Sequence, residues 1–318
     1  MTINELEERW RSVVNTGSTP FRSLLISAET KQDLYLGIDP HGRRYLILHV
    51  PSGLSRPLED TKLENISLEW HDETNYVMIG LLKPGFTDLF NELSLSIYNR
   101  IKDIEDGGVA VSEFISSFHR WVDFFDGISG RSLTDIEIKG LFGELTVLKW
   151  LLDGNSQFEV NDILAAWMGP FGRSHDFVFQ DADTEVKTKS PSQVLVHISS
   201  EFQLQMDRGK QLKLCVVDAE QTDSGKNIVE KIEEVKSKIR DLRGEIGLFV
   251  KALSQAGIRA DSEKYNHLCF RELSLSFYQC GDGFPALISD ALPTGIRDVR
   301  YNLDTTDLDT FLTEKISF

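Results

Sequence analysis

Short apolar segments that alternate with polar residues occupy most of the first hundred positions, with turn sequences between them. Alternation with a period of two is typical of strands that bury one face. The pattern predicts five strands, over Ser23–Ala28, Asp33–Asp39, Tyr45–Val50, Ile66–Trp70 and Tyr76–Leu82. This part of the chain is therefore expected to be rich in β-structure.

Helical spacing of the apolar residues replaces this alternation after Phe86. It predicts helices over Phe86–Lys102 and Ser112–Phe125, with Ser112 as an N-terminal cap. The Asp- and Gly-rich segment 103–108 lies between them and is the best candidate for a linker. We therefore expect a β-rich N-terminal domain over residues 1–103, whose role the sequence leaves open, and a second domain over 109–318.

The second domain alternates between helical and strand patterns. A capping box formed by Thr134 and Glu137 predicts a helix that runs to Leu152. The predicted core then continues through strands Ser174–Gln180, Thr184–Lys189 and Gln193–Ile198, a short helix capped by Ser200 with Gln203, and strand Leu212–Asp218. Helices over 228–242 and 245–255 and strands over 268–279 and 296–302 extend it. The expected class is α/β, with a mixed sheet flanked by helices.

The strand 184–189 carries the first candidate chemistry. Side chains alternate between the two faces of a strand, so Glu185, Lys187 and Lys189 share one face, while Val186 and Thr188 take the other. A carboxylate beside an ammonium can hold a divalent cation and stabilise charge on a phosphate. Taken alone, however, a Glu-x-Lys triplet is common on solvated strand faces.

A second carboxylate comes from Asp176, nine positions before Glu185. Two antiparallel strands joined by a short turn at 181–183 can bring the two carboxylates together if the register is favourable. Mg²⁺ is often bound by one or two carboxylates together with water and substrate oxygens. The simpler alternative is that Asp176 caps a turn.

Glu144 supplies a third carboxylate from the helix before these strands. It falls within the apolar arc formed by Leu141, Phe142, Leu145, Leu148 and Leu152. A charge there is costly unless it is paired or binds a metal. Gly140 and Gly143 each weaken the helix by ~1 kcal/mol relative to alanine, and a close approach to the sheet would explain them. Otherwise Glu144 could lie at the edge of the arc and pair with Lys139 or Lys149.

Four stretches together resemble the PD-(D/E)XK, or restriction-endonuclease-like, superfamily, and more narrowly a bacterial family named for that motif. They are Ile138–Leu145, Ser174–Phe177, Glu185–Thr188 and Ile198–Leu204, within a core of about 134–218. His175 occupies the variable "P" position. The resemblance implies an αβββαβ core and Mg²⁺- or Mn²⁺-dependent cleavage of DNA. It implies that Asp176 and Glu185 are metal ligands, that Glu144 is an accessory carboxylate that can bind the same metal, and that Lys187 is catalytic.

Three further residues are possible accessories to this site. Gln203 matches a position that polar residues often occupy near such sites, although its pairing with Ser200 would explain it equally well. Arg173 lies in the loop that enters the Asp176 strand and could meet a phosphate, or belong to an ordinary turn. Lys189 could contribute to a basic patch with Arg208, Lys210 and Lys213.

The net charge of −16 limits how this chain can bind nucleic acid. Neutralisation of phosphates supplies much of the affinity of nucleic-acid-binding proteins. An acidic chain therefore needs a local basic patch or a partner, such as a second copy of itself or another defence-system protein. The three cysteines have neither CxxC nor zinc-type spacing, and no apolar run could cross a membrane, which favours a cytoplasmic protein.

The resemblance thus implies a metal-dependent endonuclease acting on DNA. It also suggests a role in restriction or phage defence, because relatives of the narrower family tend to be encoded beside such genes. Two alternatives remain open at this point. One is a non-catalytic interaction subunit with the same fold, and the other is a nuclease acting on RNA.

Overall fold

The computed structural model describes residues 1–14, 21–54, 60–125, 133–154, 156–258 and 265–318. It divides into two compact units, Met1–Ser129 and Gly130–Phe318. The boundary between the units lies further along the chain than the predicted linker at 103–108, because the helix that follows the linker packs within the first unit.

A six-stranded antiparallel sheet forms the centre of the first unit, in the order β1-β2-β3-β6-β5-β4. The strands are β1 (Arg22–Leu25), β2 (Leu34–Ile38), β3 (Arg44–His49), β4 (Thr61–Lys62), β5 (Ile66–His71) and β6 (Tyr76–Leu81). Five of them match the predicted strands to within a few residues. Short runs of buried apolar residues, such as Leu46, Ile47 and Leu48 in β3, explain why the sequence pattern finds them.

Three helices accompany this sheet: α1 (Ile3–Ser12), α2 (Thr87–Ile101) and α3 (Gly107–Phe125). The last begins five residues before the predicted cap at Ser112, because Asp106 Oδ1 accepts a hydrogen bond from the Val109 amide. At its other end, Asn65 Nδ2 donates to the Phe125 carbonyl over 2.6 Å. This contact fixes α3 within the first unit.

The second unit contains a five-stranded mixed sheet in the order β13-β11-β10-β8-β7, in which β8 and β10 are parallel and the other pairs are antiparallel. Its strands are β7 (Phe177–Val178), β8 (Ala182–Lys189), β10 (Gln211–Asn227), β11 (Cys269–Cys280) and β13 (Leu312–Ser317). Helices α4 (Asp135–Leu152), α5 (Val160–Ala166), α6 (Ile228–Asp241) and α7 (Ile246–Gln255) bury one face of the sheet in a shared apolar core. The predicted α/β class with a mixed sheet is confirmed.

Two predicted details of this core are wrong. The third strand, β9 (Leu195–Ile198), does not join the main sheet but pairs with β12 (Tyr301–Asp304) in a separate two-stranded sheet. Its residues Val196 and Ile198 pack over the second face of the main sheet. The segment 201–204 is a hydrogen-bonded turn and not the predicted helix.

Among the described residues, no helix is long and apolar enough to cross a membrane. All three cysteines are free thiols, and Cys215 and Cys280 are buried.

Candidate metal and catalytic centre

Strand β8 directs its side chains to two different environments, as the alternation predicts. Val186 joins the apolar core beneath the helices, and Thr188 faces Gly143 of α4. Glu185 and Lys187 point to the opposite face, where Glu185 is only 1% exposed. The strand therefore buries a carboxylate next to an ammonium.

Asp176 lies immediately before β7 and occupies the open edge of β8. The pairing of Phe177 with Thr184 places Asp176 alongside Glu185. Because β7 is so short, the Val186 amide donates to Asp176 Oδ2 over 2.7 Å and not to a neighbouring strand. The Asp176 carbonyl also accepts from Met168 N (2.7 Å) and Gly169 N (3.0 Å). These bonds hold the carboxylate at the edge of the strand.

Glu144 approaches the same place from α4. Its Oε2 accepts a hydrogen bond from the Trp167 indole over 2.8 Å. A Cβ added to Gly169 would lie 2.5 Å from Glu144 Oε2 and 2.7 Å from Asp176 Oδ1, so the two oxygens are at most about 5 Å apart. The two carboxylates therefore converge on a space that only glycine leaves open.

The predicted alternative partners of Glu144 are engaged elsewhere. Lys149 forms ion pairs with Asp153 (2.7 Å) and Glu234 (3.7 Å). Lys139 donates to the Ser190 hydroxyl over 2.9 Å. Burial, followed by the neighbouring charge of Lys189, lowers the pKa of Lys139.

Lys187 is held by two acceptors. Its Nζ lies 2.8 Å from Glu185 Oε1 and donates to Gln203 Oε1 over 2.9 Å. The same amide oxygen accepts from the Ser199 backbone N–H over 2.8 Å and from its hydroxyl. Gln203 thus contacts the candidate site through Lys187, and the predicted capping box with Ser200 does not form.

Burial raises the pKa of all three carboxyl groups. For Glu144 burial and the charge of Asp176 raise the pKa to about 8, against the lowering effects of the Trp167 hydrogen bond and Lys187. Burial also raises the pKa of Asp176, although the Val186 hydrogen bond opposes this. Burial and then the charge of Asp176 raise the pKa of Glu185 well above its usual range. Protons therefore stabilise the cluster in the absence of another cation.

This donor set fits a hard divalent cation. Three carboxylates supply only oxygen ligands, which Mg²⁺ and Mn²⁺ prefer. Lys187 is the nearest ammonium and forms its ion pair with Glu185, so the cluster has an excess of negative charge when ionised. Glu144, Asp176 and Lys187 remain partly exposed, which gives the site access to solvent.

The basic residues around the site differ in their accessibility. Arg173 and Arg208 are exposed. Lys189 pairs with Asp218 over 2.6 Å, and Lys210 pairs with Asp183 over 2.9 Å. Two of the four members of the predicted basic patch are therefore already bound to carboxylates.

Sequence patterns did not identify two features of this region. Trp167 belongs to none of the sequence motifs, although its indole N–H orients Glu144. His175, at the variable "P" position of the motif, is buried next to Asp183. A signal for the second feature was present, since Asp183 lies two positions before Glu185 on the same strand face.

A comparison with protein families matches residues 6–306 to one model, described as "Putative PD-(D/E)XK family member, (DUF4420)". No curated protein and no solved structure gives a significant match to the chain.

Proposed function

The chain belongs to the DUF4420 family of PD-(D/E)XK members, and from this premise we propose that it is a divalent-metal-dependent nuclease that hydrolyses phosphodiester bonds in DNA. The observation that carries the proposal is the convergence of Glu144, Asp176 and Glu185 beside Lys187. Buried like charges of this kind are costly without a functional or structural reason.

Asp176, Glu185 and Glu144 would hold Mg²⁺ or Mn²⁺. When bound, such a cation polarises a phosphoryl oxygen and neutralises its charge. Trp167 keeps Glu144 Oε2 directed to the site through its indole N–H. The Val186 amide does the same for Asp176 through Oδ2, which leaves Oδ1 directed towards Glu144.

Lys187 acts on the phosphate and on the attacking water. Its Nζ forms an ion pair with Glu185 Oε1 and donates a hydrogen bond to Gln203 Oε1. The third ammonium proton is left for a phosphate oxygen or for the water. A positioned ammonium of this kind stabilises the charge that develops on the attacked phosphate. Lys187 is therefore the proposed catalytic residue, and Gln203 is its positioning residue.

The net charge of −16 makes unaided binding of DNA unfavourable for this chain. Lys189 and Lys210 are paired with Asp218 and Asp183, so neither lysine is readily available to neutralise a phosphate. We propose that the DNA is held jointly with a second copy of this chain or with another protein of a restriction or phage-defence system. Cutting both strands of a duplex would likewise be served by two sites.

A cleavage assay tests this function. Purified protein is incubated with Mg²⁺ or Mn²⁺ and with methylated duplex DNA, unmethylated duplex DNA, single-stranded DNA or RNA, with and without the proteins encoded beside it. We expect cleavage of DNA by the wild type and loss of cleavage in Lys187→Ala and Glu185→Gln. Lys251→Ala, which changes an exposed lysine on α7, is the matched control and should keep full activity.

A non-catalytic interaction subunit is the second candidate, and the closed Lys187–Glu185 ion pair together with the acidic net charge favours it. If no substrate is cut under any of these conditions while the chain still assembles with its neighbours, this candidate replaces the nuclease. Cleavage confined to RNA would retain the chemistry but change the substrate.

A further inference from the structure

A second cluster of potential metal ligands lies along β8 from the carboxylate site. His175, Asp183 and Asp207 each offer a ligand atom, and these atoms all lie within 4.8 Å of one another. His175 is 4% exposed and Asp183 is 1% exposed, whereas Asp207 reaches the surface. The three residues come from the segment before β7, from β8 itself and from the turn before β10.

The buried members of this cluster have polar atoms with no hydrogen-bond partner among the described residues. These atoms are His175 Nε2 and Asp183 Oδ2. His175 Nδ1 lies 3.5 Å from Asp183 Oδ2, but without the geometry of a hydrogen bond. Buried polar atoms are rarely left unsatisfied, so each one indicates a missing ligand, ion or water.

Lys210 provides a hydrogen-bond donor for only one of the two carboxylate oxygens of Asp183. Its Nζ lies 2.9 Å from Asp183 Oδ1 and also donates to the Phe179 carbonyl over 2.8 Å. This ammonium fixes the orientation of the carboxylate and neutralises one of the two aspartate charges. Oδ2 remains directed towards His175, which leaves one acidic oxygen, one imidazole and Asp207 for a cation.

We propose that His175, Asp183 and Asp207 bind a transition-metal cation of the Zn²⁺ class, separately from the carboxylate site. One imidazole nitrogen with two carboxylate oxygens is a donor set that suits Zn²⁺, whereas Mg²⁺ prefers oxygen ligands alone. Three protein ligands leave a further position for water at the exposed side, next to Asp207.

This cation would act as a cross-link between segments that are distant in sequence. It joins the turn that carries Asp207 to the β7–β8 hairpin. His175 precedes Asp176, and Asp183 lies two positions before Glu185. The cross-link therefore holds the backbone that carries two of the three carboxylates of the first site. Its role is structural, and it does not depend on the proposed nuclease activity.

Zn²⁺ titration of the full chain by calorimetry tests the proposal. The parent is the double variant Asp176→Asn, Glu185→Gln, stripped of metal, so that the first site cannot contribute. We expect one Zn²⁺ per chain, with a rise in the unfolding temperature when it binds. Adding Asp207→Asn or His175→Gln should weaken the binding at least about 10-fold, the lower end of what loss of even a supporting contact causes.

Asp223→Asn, which changes an exposed aspartate on β10, is the matched control and should bind as the parent does. Asp207 is also exposed, so its variant is expected to fold even if His175→Gln does not. The proposal is overturned if the parent binds no Zn²⁺. It is equally overturned if Asp207→Asn binds Zn²⁺ as tightly as Asp223→Asn.

Discussion

Gly143 and Thr188 meet where helix α4 crosses strand β8. A Cβ on Gly143 would lie 1.8 Å from Thr188 Oγ1 and 3.0 Å from Thr188 Cβ. Only glycine allows the helix to approach the strand this closely, and the next residue along the helix is Glu144. The contact therefore sets the depth at which α4 holds its carboxylate over the sheet.

Replacing Gly143 with alanine should destabilise the protein. The added methyl group must displace Thr188 or the helix, and overpacking of this kind costs about 1–3 kcal/mol. Denaturant unfolding of Gly143→Ala measures this loss, and Mg²⁺ affinity should fall with it because Glu144 moves.

Gly140→Ala is the matched control for that variant. A Cβ on Gly140 meets no atom within 4 Å, so the gain in helix propensity of up to ~1 kcal/mol should appear undiminished. This also means that close approach explains Gly143 but not Gly140. Adding Thr188→Ala to Gly143→Ala should recover much of the lost stability. If Gly143→Ala and Gly140→Ala change the free energy of unfolding equally, the steric explanation is contradicted.

The carboxylate cluster should make the metal-free protein less stable as pH rises. The pKa of Glu144 is raised from 4.5 to about 8, and burial raises those of Asp176 and Glu185 as well. Between the ordinary pKa of 4.5 and the folded-state pKa of about 8, the folded state binds more protons than the unfolded state. The stabilisation that Glu144 contributes is therefore present below pH 4.5 and is lost as pH approaches 8. A loss of about 2 kcal/mol would lower the unfolding temperature by roughly 4–8 °C.

Thermal unfolding in EDTA from pH 5 to 8 measures this effect. Glu144→Gln should flatten the slope, because the amide keeps an acceptor for Trp167 without a group that titrates. Saturating Mg²⁺ at pH 8 should restore the stability of the wild type but restore less in the variant. Identical slopes in the two proteins would rule out Glu144 as a source of the pH dependence.

Replacing Trp167 with phenylalanine should weaken metal binding in a pH-dependent way. The ring can still stack on Phe249, from which it lies 5.6 Å between centroids, but the hydrogen bond to Glu144 is lost. That bond lowers the pKa of Glu144, so the carboxyl holds its proton more strongly without it. A hydrogen bond to a charged acceptor contributes about 1.5–3 kcal/mol, which corresponds to a loss of affinity of roughly 10-fold or more.

Calorimetric titration with Mn²⁺ at pH 7 and pH 9 tests this expectation. The difference between Trp167→Phe and the wild type should shrink at pH 9, where a larger fraction of Glu144 is ionised in both proteins. Trp150→Phe makes the same change near the C-terminal end of α4, where the ring packs on Phe277, and should leave the affinity unaltered. A loss that is equal at both pH values would indicate a packing defect.

Gln203→Ala should slow the reaction without greatly weakening metal binding. Lys187 loses one of its two acceptors, and loss of a supporting contact costs about 10- to 100-fold in activity. Gln203→Glu keeps an oxygen near the ammonium, so it should recover part of the rate. Gln221→Ala, at an exposed position, serves as the control. If Gln203→Glu recovers none of the rate lost in Gln203→Ala, a role through Lys187 is contradicted.

Local periodicity explains what could be predicted from the sequence. Short apolar runs bounded by turn sequences mark the strands of the first unit. The box of Thr134 and Glu137 marks the start of α4 in both sequence and structure. The faces of β8 follow from alternation alone. Glu144 was identified because a charge within an apolar arc is costly, and that cost does not depend on distant parts of the chain.

The features that could not be predicted from the sequence depend on contacts between residues far apart in the chain. Nothing in residues 193–198 shows that they pair with Tyr301–Asp304 and not with the main sheet. Ser200 and Gln203 have the spacing of a capping box. In the structure, however, Gln203 Oε1 accepts hydrogen bonds from Lys187 Nζ and from the Ser199 amide instead. The meeting of Asp207 with His175 likewise depends on how the turn before β10 folds back.

All the groups proposed for the nuclease site lie between positions 144 and 203, within a single unit. The first unit, Met1–Ser129, contributes none of them. Substitutions, insertions or wholesale exchange of that unit during evolution can therefore leave every residue of the proposed site unchanged. Natural selection can act on the two units at different rates, and divergence among relatives should concentrate in the first.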